Sequence, residues 1–253
     1  MGLSYTTTHQ VQFYECDIHK QLTLPMLMSV AITAGELQTY SLDPTADAYL
    51  EEHHLGWIIT NHSLDIHQFP KENEQIFVTT EAESYNKFFC YRNFYIHNQQ
   101  GKCLATMKSV FSLMDLETRK IVTVPEEVIS VYQSEKIKRI HRFPVVPDPS
   151  GEMLAQENYR VRYFDLDTNR HVNNARYLAW MLDVLPFSFL EKYEPTHIEI
   201  SFQKEIEYGN TISSQCEERE STEADKETAH YIYNQDVLSA KALISWRQRN
   251  ENE

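Results

Sequence analysis

Asp167, Asn169 and His171 place a carboxylate, an amide and an imidazole at every second residue. In an extended loop that spacing sends all three side chains to one side, whereas a helix would spread them around its surface. Gathered together they suit carbonyl chemistry: imidazole titrates near neutrality, a carboxylate can orient it or act as base, and an amide can hold a substrate group by hydrogen bonds. The loop then meets a helix start at Asn173 or Asn174, where unpaired main-chain N–H groups could receive a developing oxyanion. Two other readings compete. A polar turn that only caps a helix accounts for the spacing equally well. Asp165-x-Asp167-x-Asn169 also opens like a calcium loop, but Arg170 stands where that loop needs glycine and Arg176 where it needs glutamate, which argues against calcium.

The elements that position these residues occur twice. Slid against itself by 150 residues, the chain lays Val11-Gln12-Phe13-Tyr14-Glu15-Cys16-Asp17 over Val161-Arg162-Tyr163-Phe164-Asp165-Leu166-Asp167. Period-two alternation predicts a strand for each run, then a loop. A helix comes next in both copies. Thr23 and Pro25 suit the start of the first, whose apolar positions are Leu27, Val30, Ala31, Ala34 and Leu37; Asn173 or Asn174 caps the second, with Tyr177, Trp180, Met181 and Val184 inward and a stop near Pro186. Strands are then expected at 57–69, 75–85, 88–97 and 102–115, and again at 197–208, 211–219, 227–233 and 238–249. A long helix followed by an antiparallel meander, twice over, is an α+β pattern. Pro144, Pro147, Pro149 and Gly151 mark a connector between the copies. Just before them lies the densest basic stretch, Lys136, Lys138, Arg139, His141 and Arg142, which reads as a solvated linker face or as a docking patch for an acidic carrier protein.

Composition narrows the class. Net charge is −14, with acidic residues dispersed, and affinity for phosphate backbones comes mainly from clustered Lys and Arg, so nucleic acid is an unexpected partner. No apolar run approaches the roughly 20 residues of a membrane-spanning helix, and the N-terminal residues show neither a signal nor a transit pattern. Cys16, Cys90, Cys103 and Cys216 have no metal or redox spacing and read as reduced thiols. The expected location is the cytoplasm. His53, His54, His62 and His67 match no tight metal site, and none is expected.

The run from Asp165 to Tyr177, DLDTNRHVNNARY, resembles the DLDxNxHVNNxxY signature of acyl-acyl-carrier-protein thioesterases, the fatty-acid-releasing enzymes of plants and bacteria. Trp57-Ile58-Ile59-Thr60, Tyr91-Arg92-Asn93-Phe94 and the stretch from Met114 to Lys120 followed by Val124-Pro125 resemble the first half of the same family, so the likeness extends over most of residues 5–248. It implies two tandem hotdog domains, each a long helix wrapped by an antiparallel sheet: residues 1–135 shape the acyl-chain pocket, 136–157 link, and 158–253 carry catalysis. It also implies that Asp167, Asn169 and His171 are catalytic together with Glu205, which lies in the segment Ser201-Phe202-Gln203-Lys204-Glu205. The expected reaction is hydrolysis of a fatty acyl thioester on acyl carrier protein, with no cofactor. A homodimer is compatible with it.

Plant members commonly carry a cysteine directly after the glutamate, where this chain has Ile206, so the resemblance implies catalysis by carboxylates, His171 and water without a thiol nucleophile. In the first copy His19 faces Asn169 and Gln21 faces His171, so that copy is expected to be catalytically silent. Met26, Leu27, Met28, Val30, Ala34, Trp57 and Ile59 are candidates for lining the acyl pocket, although ordinary core is the first reading of any one of them. An acyl-CoA thioesterase, a hotdog hydratase or dehydratase, and a non-catalytic carrier-binding module remain alternatives on the same fold.

Overall fold

A computed structural model describes residues 2–150, 152–221 and 225–249, so Gly151 of the expected connector lies outside the described residues. The chain divides into two compact units, one formed by 1–62 with 67–143 and the other by 63–66 with 144–253.

The first unit contains β1 (Ser4–Gln10), α1 (Leu24–Leu42), α2 (Ala46–Glu52), most of β2 (Leu55–Ile66), β3 (Gln75–Tyr85), β4 (Phe89–Asn98), β5 (Cys103–Asp115), β6 (Lys120–Val122), α3 (Glu126–Ile129) and β7 (Glu135–Lys136). Its strands lie in the order β1-β3-β4-β5-β2. β3, β4 and β5 form the antiparallel meander, and β1 pairs antiparallel with β3. Helix α1 packs on β1, β3 and β4. It buries Leu24, Leu27, Met28, Val30, Ala31 and Ala34, at the three- and four-residue spacing of one helix face. Leu27, Met28, Val30 and Ala34, candidates for an acyl pocket or for core, are among these buried side chains. Trp57 is partly buried against a cluster that includes Leu50, Tyr85 and Leu113.

The second unit contains β8 (Ala155–Arg160), α4 (Asn174–Asp183), α5 (Phe187–Lys192), β9 (Tyr193–Phe202), β10 (Thr211–Ser221), β11 (Asp225–Asn234) and β12 (Val237–Gln248). Its order is β9-β12-β11-β10-β8, all antiparallel. Helix α4 buries Tyr177, Leu178, Trp180 and Met181, and it contacts β10 and β11. Each unit is thus α+β, a helix on an antiparallel sheet.

Three expectations need correction. The repeated runs at 11–17 and 161–167 are not strands: β1 and β8 end at Gln10 and Arg160, and 3-10 turns succeed them at Phe13–Glu15 and Tyr163–Asp165. The cause is a buried carboxylate in each turn. Glu15 accepts the main-chain N–H of Gln12, and Asp165 that of Arg162, both at 2.8 Å, which closes the turn and overrides the alternating pattern. A strand would put Phe13 on the face of Val11 and Tyr163 on that of Val161, but both aromatics are exposed while both valines are buried. Secondly, the strand expected over 197–208 ends at Phe202, so Glu205 lies in the connection between β9 and β10. Thirdly, β2 ends at Ile66, short of Phe69.

A polar cluster inside the second unit ties its short 63–66 segment to β9. His197 bridges Asp65 at 2.8 Å and Glu199 at 3.0 Å, and Ser63 donates to Glu199. The hydrogen bond to Glu199 foremost, with Asp65, raises the His197 pKa to about 9. A raised folded value means that the stabilisation is complete below the unfolded pKa near 6.5 and is lost as pH rises through about 9. Because His197 is one-third exposed, solvent screening limits it to about 1 kcal/mol. His197→Ala is expected to lower the melting temperature at pH 6 and to leave it nearly unchanged at pH 10. Equal losses at both pH values in thermal melts would remove the bridge as the cause.

Candidate active site

The segment from Leu166 to Val172 is a closed turn, not the extended loop expected from its spacing. Leu166 and Val172 bridge at its base. Inside, Asp167 N–H donates to the His171 carbonyl (2.9 Å), Arg170 N–H to the Asp167 carbonyl (3.0 Å), and Asn169 N–H to Asp167 Oδ1 (2.8 Å). Arg170 takes φ +65°, the left-handed conformation the turn requires. The Asp167 carboxylate therefore builds the turn, as Asp side chains do by bonding the main chain two residues on.

Glu205 reaches this turn through the main chain. Val172 N–H donates to the Ile206 carbonyl at 3.1 Å, which fixes the β9–β10 connection alongside the turn. His171 Nε2 then stands 3.4 Å from Glu205 Oε2, with the imidazole 21% and the carboxylate 33% exposed. That distance is somewhat long for a hydrogen bond and is ordinary for catalytic groups without substrate. His171 and Glu205 are thus brought together, and Asp167 is joined to them through the turn's backbone. Asn169 is exposed, and its main-chain N–H faces Asp167.

Tyr177 was legible only as an apolar helix position. Its side chain is buried on α4, edge-on to Phe202 at 5.3 Å, and its phenol is hydrogen-bonded by the main chain of Ile206; burial foremost, with the Asp167 charge, raises its pKa. Ile206 is thereby held from the turn on one side and from α4 on the other, and its own side chain is fully buried. The position occupied by cysteine in plant members is a core position here.

Helix α4 offers fewer oxyanion donors than its sequence suggested. Asn173 N–H donates to the Asp165 carbonyl, Arg176 N–H to the Asn173 carbonyl, and Ala175 N–H to the Asn173 side chain. Of the N–H groups from Asn173 to Arg176, that of Asn174 has no protein acceptor among the described residues.

The first unit builds the same turn without the same side chains. Asp17 N–H donates to the Gln21 carbonyl, Lys20 N–H to the Asp17 carbonyl and His19 N–H to Asp17 Oδ1, with Lys20 at φ +57°. Leu22 N–H meets the Pro70 carbonyl, as Val172 N–H meets Ile206. Gln21 therefore stands for His171, Phe69 for Glu205 and Leu27 for Tyr177.

A cysteine–histidine pair exists elsewhere in the second unit, with Cys216 Sγ 3.9 Å from His230 Nε2, both fully buried. Trp246 N–H donates to Thr228 Oγ1, and the same hydroxyl lies 2.8 Å from His230 Nε2, so the imidazole nitrogen nearest the thiol is already engaged in a hydrogen bond. Burial pushes the thiol up to about 12 and the imidazole down to about 3, so neither ionises near neutrality. Cys216→Ala is expected to retain activity within about twofold, and a thiol reagent to inactivate slowly. Rapid alkylation of Cys216 with parallel loss of activity would make it a participant.

Two family models match the chain, the acyl-ACP thioesterase N-terminal domain over residues 2–132 and the acyl-ACP thioesterase C-terminal domain over 150–248. Among curated relatives, the acyl-[acyl-carrier-protein] hydrolase FATB3 of Cuphea viscosissima is 23% identical, covering 98% of this chain and 64% of the relative. The oleoyl-acyl carrier protein thioesterase of Coriandrum sativum is 23% identical over 90% of this chain and 65% of its own length. The chain therefore spans a little under two thirds of these relatives. Among solved structures, a Lactobacillus plantarum protein assigned as an oleoyl thioesterase superposes with a TM-score of 0.94 at 32% identity, covering 99% of this chain and 98% of the other. The 12:0-ACP thioesterase of Umbellularia californica shares the fold with a TM-score of 0.83 at 19% identity, over 98% and 99%. With both models matched, one on each half, the chain belongs to the acyl-ACP thioesterase family.

Proposed function

We propose that this chain hydrolyses the thioester of fatty acyl-acyl-carrier protein, releasing free fatty acid and so ending chain elongation. The observation that carries the reading is the His171–Glu205 pair, which is set beside a turn built twice, the first copy having Gln21 and Phe69 at those two positions. The family's two models and the plant hydrolases that match the chain support the same substrate class.

In this mechanism His171 takes a proton from water as the oxygen adds to the thioester carbon, and Glu205 steadies the imidazolium. The Asn169 amide and Asn174 N–H polarise the carbonyl and receive its negative charge. As the tetrahedral centre collapses, the carbon–sulfur bond breaks and the imidazolium returns its proton to the departing pantetheine sulfur. Asp167 acts by holding the turn. Residues 158–253 carry this chemistry as one hotdog domain, 1–135 form a second that houses the acyl chain, and 136–157 connect them. The matching element order of the two units, each a helix on an antiparallel sheet, supports the tandem arrangement. Four free cysteines agree with a cytoplasmic setting.

The test is to incubate purified protein with acyl-carrier proteins of graded chain length, matched acyl-CoAs and an enoyl thioester, and to analyse the products. Free acids are expected from the acyl-carrier proteins. Hydration of the enoyl thioester, or retention of acyl carrier without acid release, would replace the reading with a hydratase or a binding module.

A further inference from the structure

Four of the chain's eleven arginines, Arg160, Arg162, Arg170 and Arg176, fall in the seventeen residues that wrap the His171 turn. Arg160 and Arg170 are exposed, and the side chains of Arg162 and Arg176 are 67% and 42% exposed. Between them Tyr163 and Phe164, 71% and 83% exposed, meet edge-on at 5.3 Å. The segment's negative groups are Asp165, fully buried, and Asp167, engaged in the turn. Four arginines against two aspartates leave a positive rim, and the facing Lys204, Glu205 and Glu207 do not reverse it. Such a rim is unexpected on a chain of net charge −14.

The first copy separates what the turn needs from what the site needs. It keeps an exposed edge-on pair, Phe13 and Tyr14, so the aromatics alone do not distinguish the second copy. At the four arginine positions it has Gln10, Gln12, Lys20 and Met26. Its buried carboxylate, Glu15, is met by His9 at 2.8 Å, whereas Asp165 is met by Arg162 at 2.9 Å and Arg176 at 3.4 Å. Neutralising a buried carboxylate accounts for those two arginines at most. Arg160 and Arg170 make no ion pair among the described residues, and nothing in the fold calls for them.

We infer that this arginine rim, with Tyr163 and Phe164, is the docking surface for the acidic carrier protein, which it seats with the pantetheine arm directed at His171. The inference rests on the proposed substrate class. Charge complementarity supports it: a local positive field opposes the repulsion that two acidic proteins otherwise feel and speeds their encounter, while exposed aromatics supply apolar contact. It also places docking on the catalytic unit and not on the basic stretch Lys136–Arg142.

The test measures binding of an acyl-carrier protein whose thioester is replaced by an amide, so that affinity is read without turnover. Arg160→Glu/Arg170→Glu spares the Asp165 pair, and its melting temperature reports folding. The dissociation constant is expected to rise about tenfold, with a shallower salt dependence than wild type. A change under twofold, no binding by wild type, or a loss seen only in Lys138→Glu/Arg139→Glu would overturn the docking surface. Hydrolysis of S-acyl-pantetheine by wild type is assayed in parallel. Binding at the arginines without hydrolysis would leave the docking surface and remove the proposed reaction; hydrolysis with an unaffected dissociation constant would do the reverse.

Discussion

His171→Ala is expected to lower kcat on acyl-carrier protein by about 10²- to 10⁴-fold with little change in KM, the range for loss of a positioned acid–base group. Glu205→Gln should fall in the same direction and by less, because the amide keeps the shape but cannot steady an imidazolium. The double variant should be no slower than His171→Ala alone, since groups that act as a unit are not additive. The geometry behind this is the 3.4 Å approach of the two side chains, held by the Val172–Ile206 main-chain bond and by Tyr177. Steady-state kinetics on the four proteins decides it. Near wild-type rates in both single variants would sink the assignment, and multiplicative losses would mean that the two residues act separately.

The repeat was legible because its turn is a backbone device with a sequence signature. An aspartate bonds the main chain two residues on, and one residue takes a left-handed conformation, at Lys20 and again at Arg170. A single slide of 150 residues finds that device but loses the match beyond the helices. The first copy has the nineteen-residue α1 where the second has the ten-residue α4, so past that point the copies align at a shorter offset. Phe69 therefore could not be matched to Glu205 by spacing, and it was the family resemblance that pointed to Glu205.

What failed did so for local reasons. Alternation at Val11–Asp17 and Val161–Asp167 looked like a half-buried strand, but burial there belongs to Val11, Val161 and the carboxylates of Glu15 and Asp165, while the aromatics face out. Tyr177 looked apolar because a phenol at a core position reveals its polar tip only when its partner is known. That partner is a main-chain group, which has no letter in the sequence.

Asp165→Ala is the substitution expected to cost most in stability. Its carboxylate is inaccessible to solvent yet accepts the Arg162 main-chain N–H at 2.8 Å and two guanidinium bonds from Arg162, with Arg176 at 3.4 Å. Burial alone would raise its pKa, but these hydrogen bonds and charges together hold it below the usual carboxylate range. The two arginines can rehydrate, so the ion pairs themselves are screened. The larger loss is the buried acceptor that closes the 3-10 turn, at about 2 kcal/mol. Because the folded pKa is depressed, the contribution is present above the unfolded value and disappears as pH falls through the folded one. Thermal melts should therefore show a constant deficit from pH 8 to 5 that narrows below about pH 4. The Asp165 carbonyl also accepts Asn173 N–H at the start of α4, so a loosened turn should lower kcat as well. A deficit that persists undiminished at the lowest accessible pH would show that the carboxylate's charge is not what Asp165 contributes.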